Sequence, residues 1–227
     1  MQPRLIICDL DGTLVDSVPD LAHCVDNMLA ALGREPAGEA KVRDWVGNGV
    51  ERLVRRALVG QLEGEPDEAD FQQAYPLFLE CYAEHASRDS RCYPGVEAGL
   101  EALAARGLPL ACITNKAERF TLPLLRDLGL SDHFGMVVAG DTLARSKPDP
   151  LPLLHVAEHY GVAPDGVLMV GDSVSDVKAA RAAGVAVVCM SYGYNHGRDI
   201  REMGPDAVLD RLDELPALLD AGLPAAS

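Results

Sequence analysis

Short apolar runs recur along this chain, separated by stretches whose apolar positions repeat with helical spacing. The runs at 5–8, 108–113, 136–139, 167–170 and 185–190 have the length and composition of buried strands. Helical patterns separate the later ones. One covers 97–105, before the second run. Others cover 118–128, 151–160 and 175–183, and these stop at Gly129, Gly161 and Gly184. A glycine just past the last periodic residue is the expected C-terminal stop of a helix. Strands that alternate with helices predict parallel β-α units and a sheet covered on both faces.

The first and second runs are too far apart for a simple crossover. From about residue 16 to 87 the pattern is purely helical. Leu21, Val25, Met28, Leu29 and Leu32 form one stripe, and Val50, Leu53, Val54, Ala57 and Leu58 form another. Phe71, Tyr75, Phe78 and Tyr82 form a third, with a kink expected at Pro76, and 42–46 adds a short helix. The predicted architecture is α/β, a Rossmann-like parallel sheet core covered by helices, with an inserted all-helical cap. The core takes 1–15 and 88–227, the cap 16–87. Two connections, near 15–19 and 88–94, suit a lid that opens and closes over a site.

Composition narrows the function classes. The chain of 227 residues carries a formal charge of -15, with 35 acidic against 20 basic residues. It lacks the positive field that gathers nucleic acid or anionic lipid, so neither a nucleic acid nor a membrane is an expected partner. No apolar stretch reaches the length of a membrane span. Six cysteines without C-x-x-C spacing disfavour a structural zinc site, and three of them (Cys8, Cys112, Cys189) sit in strand-like runs. Reduced, buried thiols and the absence of a cleavable leader pattern favour a cytoplasmic setting.

Four motifs fall at the carboxyl ends of the predicted strands, where parallel sheets bind ligands. DLDGTLVDS, 9–17, places Asp9 and Asp11 two residues apart just past the first strand, before a glycine turn. One carboxylate there can attack phosphorus while its second oxygen ligates a metal. ITNK, 113–116, offers the Thr114 hydroxyl and the N–H groups that follow, including that of Asn115. SKPDP, 146–150, holds Lys147 where it can neutralise a phosphoryl group. GDSVSD, 171–176, brings Asp172, for which a helix N-cap is the structural alternative, and Asp176 one turn on. Four carboxylates around a phosphate dianion need compensation, and Mg²⁺ with Lys147 supplies it.

These motifs, in this order and with a helical insert after the first, resemble the haloacid dehalogenase superfamily of phosphotransferases over nearly the whole chain. The resemblance implies that Asp9 is the nucleophile and becomes an aspartyl phosphate. It implies that Asp11 protonates the leaving alcohol and then activates water. Mg²⁺ would be held by Asp9, Asp172 and the main-chain carbonyl of Asp11, with Asp176 supporting that shell. Thr114 and Lys147 would bind phosphoryl oxygens.

Two further segments bear on the substrate, a small phosphorylated metabolite. WVGNG, 45–49, precedes a predicted helix, so Asn48 and the N–H groups near Gly49 can meet an anion, with Arg52 as a further partner. Its plain alternative is a glycine turn between helices. GYNHG, 193–197, reads equally as an irregular surface loop. With the core motifs, both segments resemble bacterial phosphoglycolate phosphatases. Departures are Cys8, where that family usually has an aromatic residue, and His196, often aromatic in relatives. The expected reaction is hydrolysis of 2-phosphoglycolate. A sugar-phosphate phosphatase and a phosphomutase are alternatives on the same core, and a non-catalytic phosphate-binding module is a remote one. Monomer and homodimer both remain open.

Overall fold

The computed structural model of the protein describes residues 2–223. The chain opens with β1 (Leu5–Cys8) and a short β2 (Val15–Asp16). It then forms four helices: α1 (Val18–Ala31), α2 (Glu39–Trp45), α3 (Val50–Val59) and α4 (Glu68–His85). A short β3 (Arg91–Cys92) leads into α5 (Val96–Ala105), β4 (Leu110–Ile113), α6 (Glu118–Asp127) and β5 (Met136–Val138). α7 (Leu151–His159), β6 (Val167–Gly171), α8 (Val174–Ala183), β7 (Ala186–Met190), β8 (Ala207–Leu209) and α9 (Leu215–Ala221) complete the order.

β1 lies inside a six-stranded sheet of order β5-β4-β1-β6-β7-β8 in which every pairing is parallel. β4 and β5 lie on one side of β1, and β6, β7 and β8 lie on the other. The connections thus leave β1 in opposite directions, which opens a crevice at the carboxyl ends of the central strands. Side chains alternate through the sheet. Ile6, Cys8, Leu168 and Val170 face one layer, with Val96, Leu100, Leu124 and Leu215 of the helices. Leu5, Ile7, Met169 and Val187 face the other, with Leu153, Val156, Val177 and Ala180.

The four helices between β2 and β3 have an apolar cluster of their own. Val25, Met28, Trp45, Leu53, Val54, Phe71, Phe78 and Tyr82 pack within it. β2 and β3 pair antiparallel, so the chain enters and leaves this insert side by side. Asp20 closes the same junction from α1. Its buried carboxylate accepts from the N–H groups of Asp89 and Ser90 and from the Ser90 hydroxyl, at 2.6–2.9 Å.

Some elements differ from the sequence reading. The second strand begins at Leu110 rather than 108, because Pro109 has no N–H to give a ladder. The short helix is α2, which starts at Glu39 rather than 42. Arg43 there bonds Glu39 one turn back as well as Asp16. α4 runs on through Pro76. β8 and α9 had no counterpart in the reading, since β8 has three half-buried residues and no alternation long enough to register. Among the described residues, no helix is long and apolar enough to cross a membrane.

Candidate active site

The first motif turns as soon as β1 ends. Asp9 continues the ladder by donating its N–H to the Val170 carbonyl, and its Oδ1 accepts from the Leu10 N–H at 2.7 Å and from Lys147 Nζ at 2.8 Å. Among the described residues its Oδ2 has no hydrogen-bond partner, so one oxygen is anchored and the other is left for chemistry. The backbone turns back at Gly12, φ +86°. A Cβ there would stand 2.4 Å from Asp172 Oδ2. Gly193 presses on Asp172 from the other side, where a Cβ would lie 2.0 Å from the Asp172 Cβ. Asp172 thus sits in a slot that two missing side chains create. Its Oδ1 accepts from the Thr13 hydroxyl and its Oδ2 from the Tyr194 N–H.

The N-cap of α8 is Ser173, not Asp172, and Ser173 forms a capping box with Asp176. Asp172 is therefore free of the helix start. Asp176 is fully committed. Its Oδ2 accepts from the N–H groups of Asp172 and Ser173 and from the Ser173 hydroxyl, and its Oδ1 from Lys147 at 2.7 Å. Asp9, Asp172 and Asp176 bring carboxylate oxygens within 4.8 Å of one another, all buried. Asp176 orients this trio rather than offering an unoccupied oxygen.

Lys147 joins the trio. Its buried ammonium also donates to the Ile113 carbonyl at 2.9 Å. Burial would lower its pKa, but Asp176 and Asp9 more than offset that and hold it charged. Burial pushes Asp9 up to about 7, with Asp176 adding to the rise and Lys147 opposing it. Burial, then Asp176 and Asp9, push Asp172 well above the usual carboxylate range. Protein cations alone do not satisfy these carboxylates.

The Asp11 side chain goes elsewhere. It lies outside the trio and bonds Lys116 Nζ at 3.1 and 3.2 Å and the Ser17 hydroxyl at 2.5 Å. The Asp11 carboxylate is thus outside the trio, and the metal contact expected of Asp11, through its main-chain carbonyl, does not involve this side chain. Lys116, the last residue of the ITNK motif, carries no sequence signal that sets it apart from its neighbours. It is buried, and it also meets the Tyr82 hydroxyl of α4, so an insert residue touches the partner of Asp11. Thr114 accepts from the Lys116 N–H and lines the same cavity. Asn115 donates to the Lys147 carbonyl at 2.8 Å, while its Oδ1 is buried without a partner among the described residues.

The sequence that builds this arrangement matches a known family. The model of haloacid dehalogenase-like hydrolases matches residues 3–184. The chain belongs to that family. A phosphoglycolate phosphatase from Nitrosococcus oceani is 57% identical over 218 residues, spanning 96% of this chain and 97% of that one. One from Thiobacillus denitrificans is 51% identical, with 93% of each chain covered. Among solved structures, a predicted phosphoglycolate phosphatase from Haemophilus somnus superposes with a TM-score of 0.90 at 38% identity, covering 96% of this chain and 98% of that one.

In this hydrolase, a cavity of about 280 Å³ runs from Asp9, Thr114, Lys147 and Asp172 to Gly47, Asn48 and Gly49 of the insert. Arg56, which the sequence reading missed, builds that second wall. Its buried guanidinium donates to the carbonyls of Trp45, Gly47 and Leu62 and to Asn48 Oδ1 at 3.1 Å. Asn48 is left-handed, φ +65°, a conformation asparagine tolerates. Arg52, expected to face an anion, instead pairs with Glu63 and Glu65 and does not line the cavity. The GYNHG segment is no surface loop, since Tyr194 and Asn195 are buried. The Tyr194 hydroxyl accepts from the Ser17 N–H and donates to Asp16, and His196 Nδ1 lies 2.8 Å from the Asp44 carbonyl.

Proposed function

We propose that this hydrolase cleaves 2-phosphoglycolate to glycolate and phosphate, through a phosphoryl group carried on Asp9. Asp9 attacks phosphorus as the ester P–O bond breaks, and the leaving oxygen takes its proton from Asp11. Water then attacks the acyl phosphate, Asp11 takes the proton of that water, and phosphate leaves with Asp9 restored. Lys147 and the Thr114 hydroxyl bind the phosphoryl oxygens. Lys116 and Ser17 hold Asp11 at the hinge side of the cavity.

The donor set fits a magnesium ion. It is all oxygen, and among the described residues Asp9, Asp11, Asp172 and Asp176 face only Lys116 and Lys147, an imbalance of two charges when all are ionised. Asp9 and Asp172 with the Asp11 main-chain carbonyl would hold the ion, and Asp176 would fix Asp172 and Ser173 around it. When bound, it draws charge from the phosphoryl oxygens and keeps Asp9 ionised.

Residues 16–87 act in this reading as a cap that swings on the β2–β3 junction and excludes water. The observation that carries the substrate is the far wall of the cavity. Arg56 already engages Asn48 Oδ1, which leaves the two Asn48 N–H donors for another partner, and Asn48 lines the cavity. A carboxylate one short carbon from the phosphate suits such a wall, and the buried Arg56 charge behind it favours an anion. The buried thiols Cys8, Cys112 and Cys189 support a cytoplasmic setting.

The test is phosphate release from phosphoglycolate beside ethyl phosphate, which replaces the carboxylate with a methyl group, and beside a panel of sugar phosphates. A preference for phosphoglycolate that Asn48→Ala erases supports the reading. Sugar phosphates turned over faster, or an Asn48→Ala loss equal on every ester, overturns it in favour of a sugar-phosphate phosphatase. Phosphoryl transfer to a sugar hydroxyl instead of water would mark a mutase.

A further inference from the structure

The insert carries a second group of metal-ligating side chains, remote in chemistry from the acidic trio. His23 of α1 and Cys81 and His85 of α4 bring one ligand atom each within 4.8 Å of one another. Cys81 and His85 are four residues apart and so share one helix face. Cys24, the next residue of α1, places its sulfur 2.7 Å from Cys81 Sγ. The two imidazole rings lie 4.9 Å apart.

Two acceptors meet at one donor here. The Asn27 amide nitrogen stands 2.9 Å from His23 Nε2 and 3.6 Å from Cys81 Sγ. A single donor group thus answers two acceptors that face each other across the helix pair. Asn27 is exposed and polar, so it can leave for water at little cost. His85 Nδ1 lies 3.0 Å from the Cys81 carbonyl, a bond of the kind that fixes ring orientation in metal sites. Asp20, one turn before Cys24, adds negative charge nearby.

We propose that His23, Cys81 and His85 form a cation site on the insert that takes Zn²⁺, with the fourth position left to water. Nitrogen and sulfur donors exclude Mg²⁺, which demands oxygen, whereas two histidines and a cysteine suit Zn²⁺. Binding releases the proton of the Cys81 thiol. The ion bridges α1, which follows the entry into the insert, to the last residue of α4, which precedes the exit. It therefore staples the root of the insert and leaves the cavity untouched. A disulfide between Cys24 and Cys81 is the competing use of the sulfurs, but it gives the two histidines no part.

The probe is Co²⁺, added to reduced, chelator-stripped full-length protein. A near-ultraviolet thiolate-to-cobalt band should rise to one equivalent and be abolished by Zn²⁺. It should persist in Asp172→Asn, because the acidic trio has no sulfur to produce it. Cys81→Ser should lose the band. His85→Gln and His23→Gln should weaken Co²⁺ binding at least as much as the roughly 10–100-fold that loss of an outer partner costs. Far-ultraviolet circular dichroism checks that each variant is folded, and Cys81→Ala serves if Cys81→Ser is not. No band in the reduced wild type, or an unchanged band in a folded Cys81 variant, overturns the site. So does a reduced protein that takes up no Co²⁺ but loses two thiols to dilute peroxide, which would make the sulfurs a redox couple.

Discussion

The two walls of the cavity bind charge by different means. On the sheet side, Asp9, Asp172, Asp176 and Lys147 are buried side chains locked by several bonds each. On the insert side, Asn48 is exposed, and the buried cation behind it, Arg56, is engaged by carbonyls and by Asn48 itself. The first wall is costly to build, because its buried carboxylates crowd one another around a single lysine. The second is a loop whose shape is set from behind, so its residues can change without unbalancing buried charge. The contrast suits a division in which one wall handles the phosphoryl group and the other selects what is attached to it.

The sharpest way to break the comparison is at the sheet wall. Asp9→Asn should lower kcat by about 10³-fold or more, because the covalent step is lost, while the protein stays folded. Single-turnover assays with phosphoglycolate measure this, and a folded variant with substantial turnover would remove Asp9 from the nucleophile role. Asp11→Asn should cost roughly 10²–10⁴-fold on alkyl phosphates and much less on an aryl phosphate, whose leaving group needs little protonation. Equal losses on both esters would exclude a general acid.

At the insert wall the effect is smaller. Asn48→Ala should raise KM for phosphoglycolate about tenfold, or ~1.4 kcal/mol, with kcat nearly kept. Initial rates against substrate concentration give the split. A fall in kcat instead would place Asn48 with the reacting groups.

The smallest effect concerns stability and pH. Without a cation, Asp9 is raised from its usual value to about 7, chiefly by burial. A raised carboxylate holds its proton in the folded state, so its contribution to stability is kept below the unfolded value and lost as pH rises toward 7. Mg²⁺ competes with that proton. The rise in Tm on adding Mg²⁺ should therefore be larger at pH 8 than at pH 5, as thermal scans in the two buffers would show. An equal rise at both would mean that the ion does not meet Asp9.

What the sequence discloses follows the same division. Asp9, Thr114 and Asp172 stand at the ends of apolar runs, so locating the strands locates these residues, and the sheet brings them together; Lys147 joins them from the loop after the 136–139 run. Arg56 and Lys116 left no such mark. Arg56 occupies a helix position whose spacing does not distinguish it from Arg52, and only the fold shows which one turns inward. Lys116 was quoted within its motif, but its partners, Asp11 and Tyr82, lie 105 and 34 residues away. Asp20 reads as an ordinary acidic residue in a first helical turn until Ser90 is seen beside it. Long-range polar pairing has no period, and so periodicity does not report it.

The β2–β3 ribbon has a consequence of another kind. Val15 stands opposite Cys92 and Asp16 opposite Arg91, so the two points at which the helical segment is spliced into the chain are neighbours across a ladder. Strands in such a pair lie about 5 Å apart. A segment whose ends already meet can be exchanged for a longer, shorter or unrelated one with little added closure entropy and no shift of the sheet. The ribbon thus works as a socket, and an enzyme with a new specificity is expected from grafting another insert between Asp16 and Arg91 while leaving every residue of the sheet wall in place.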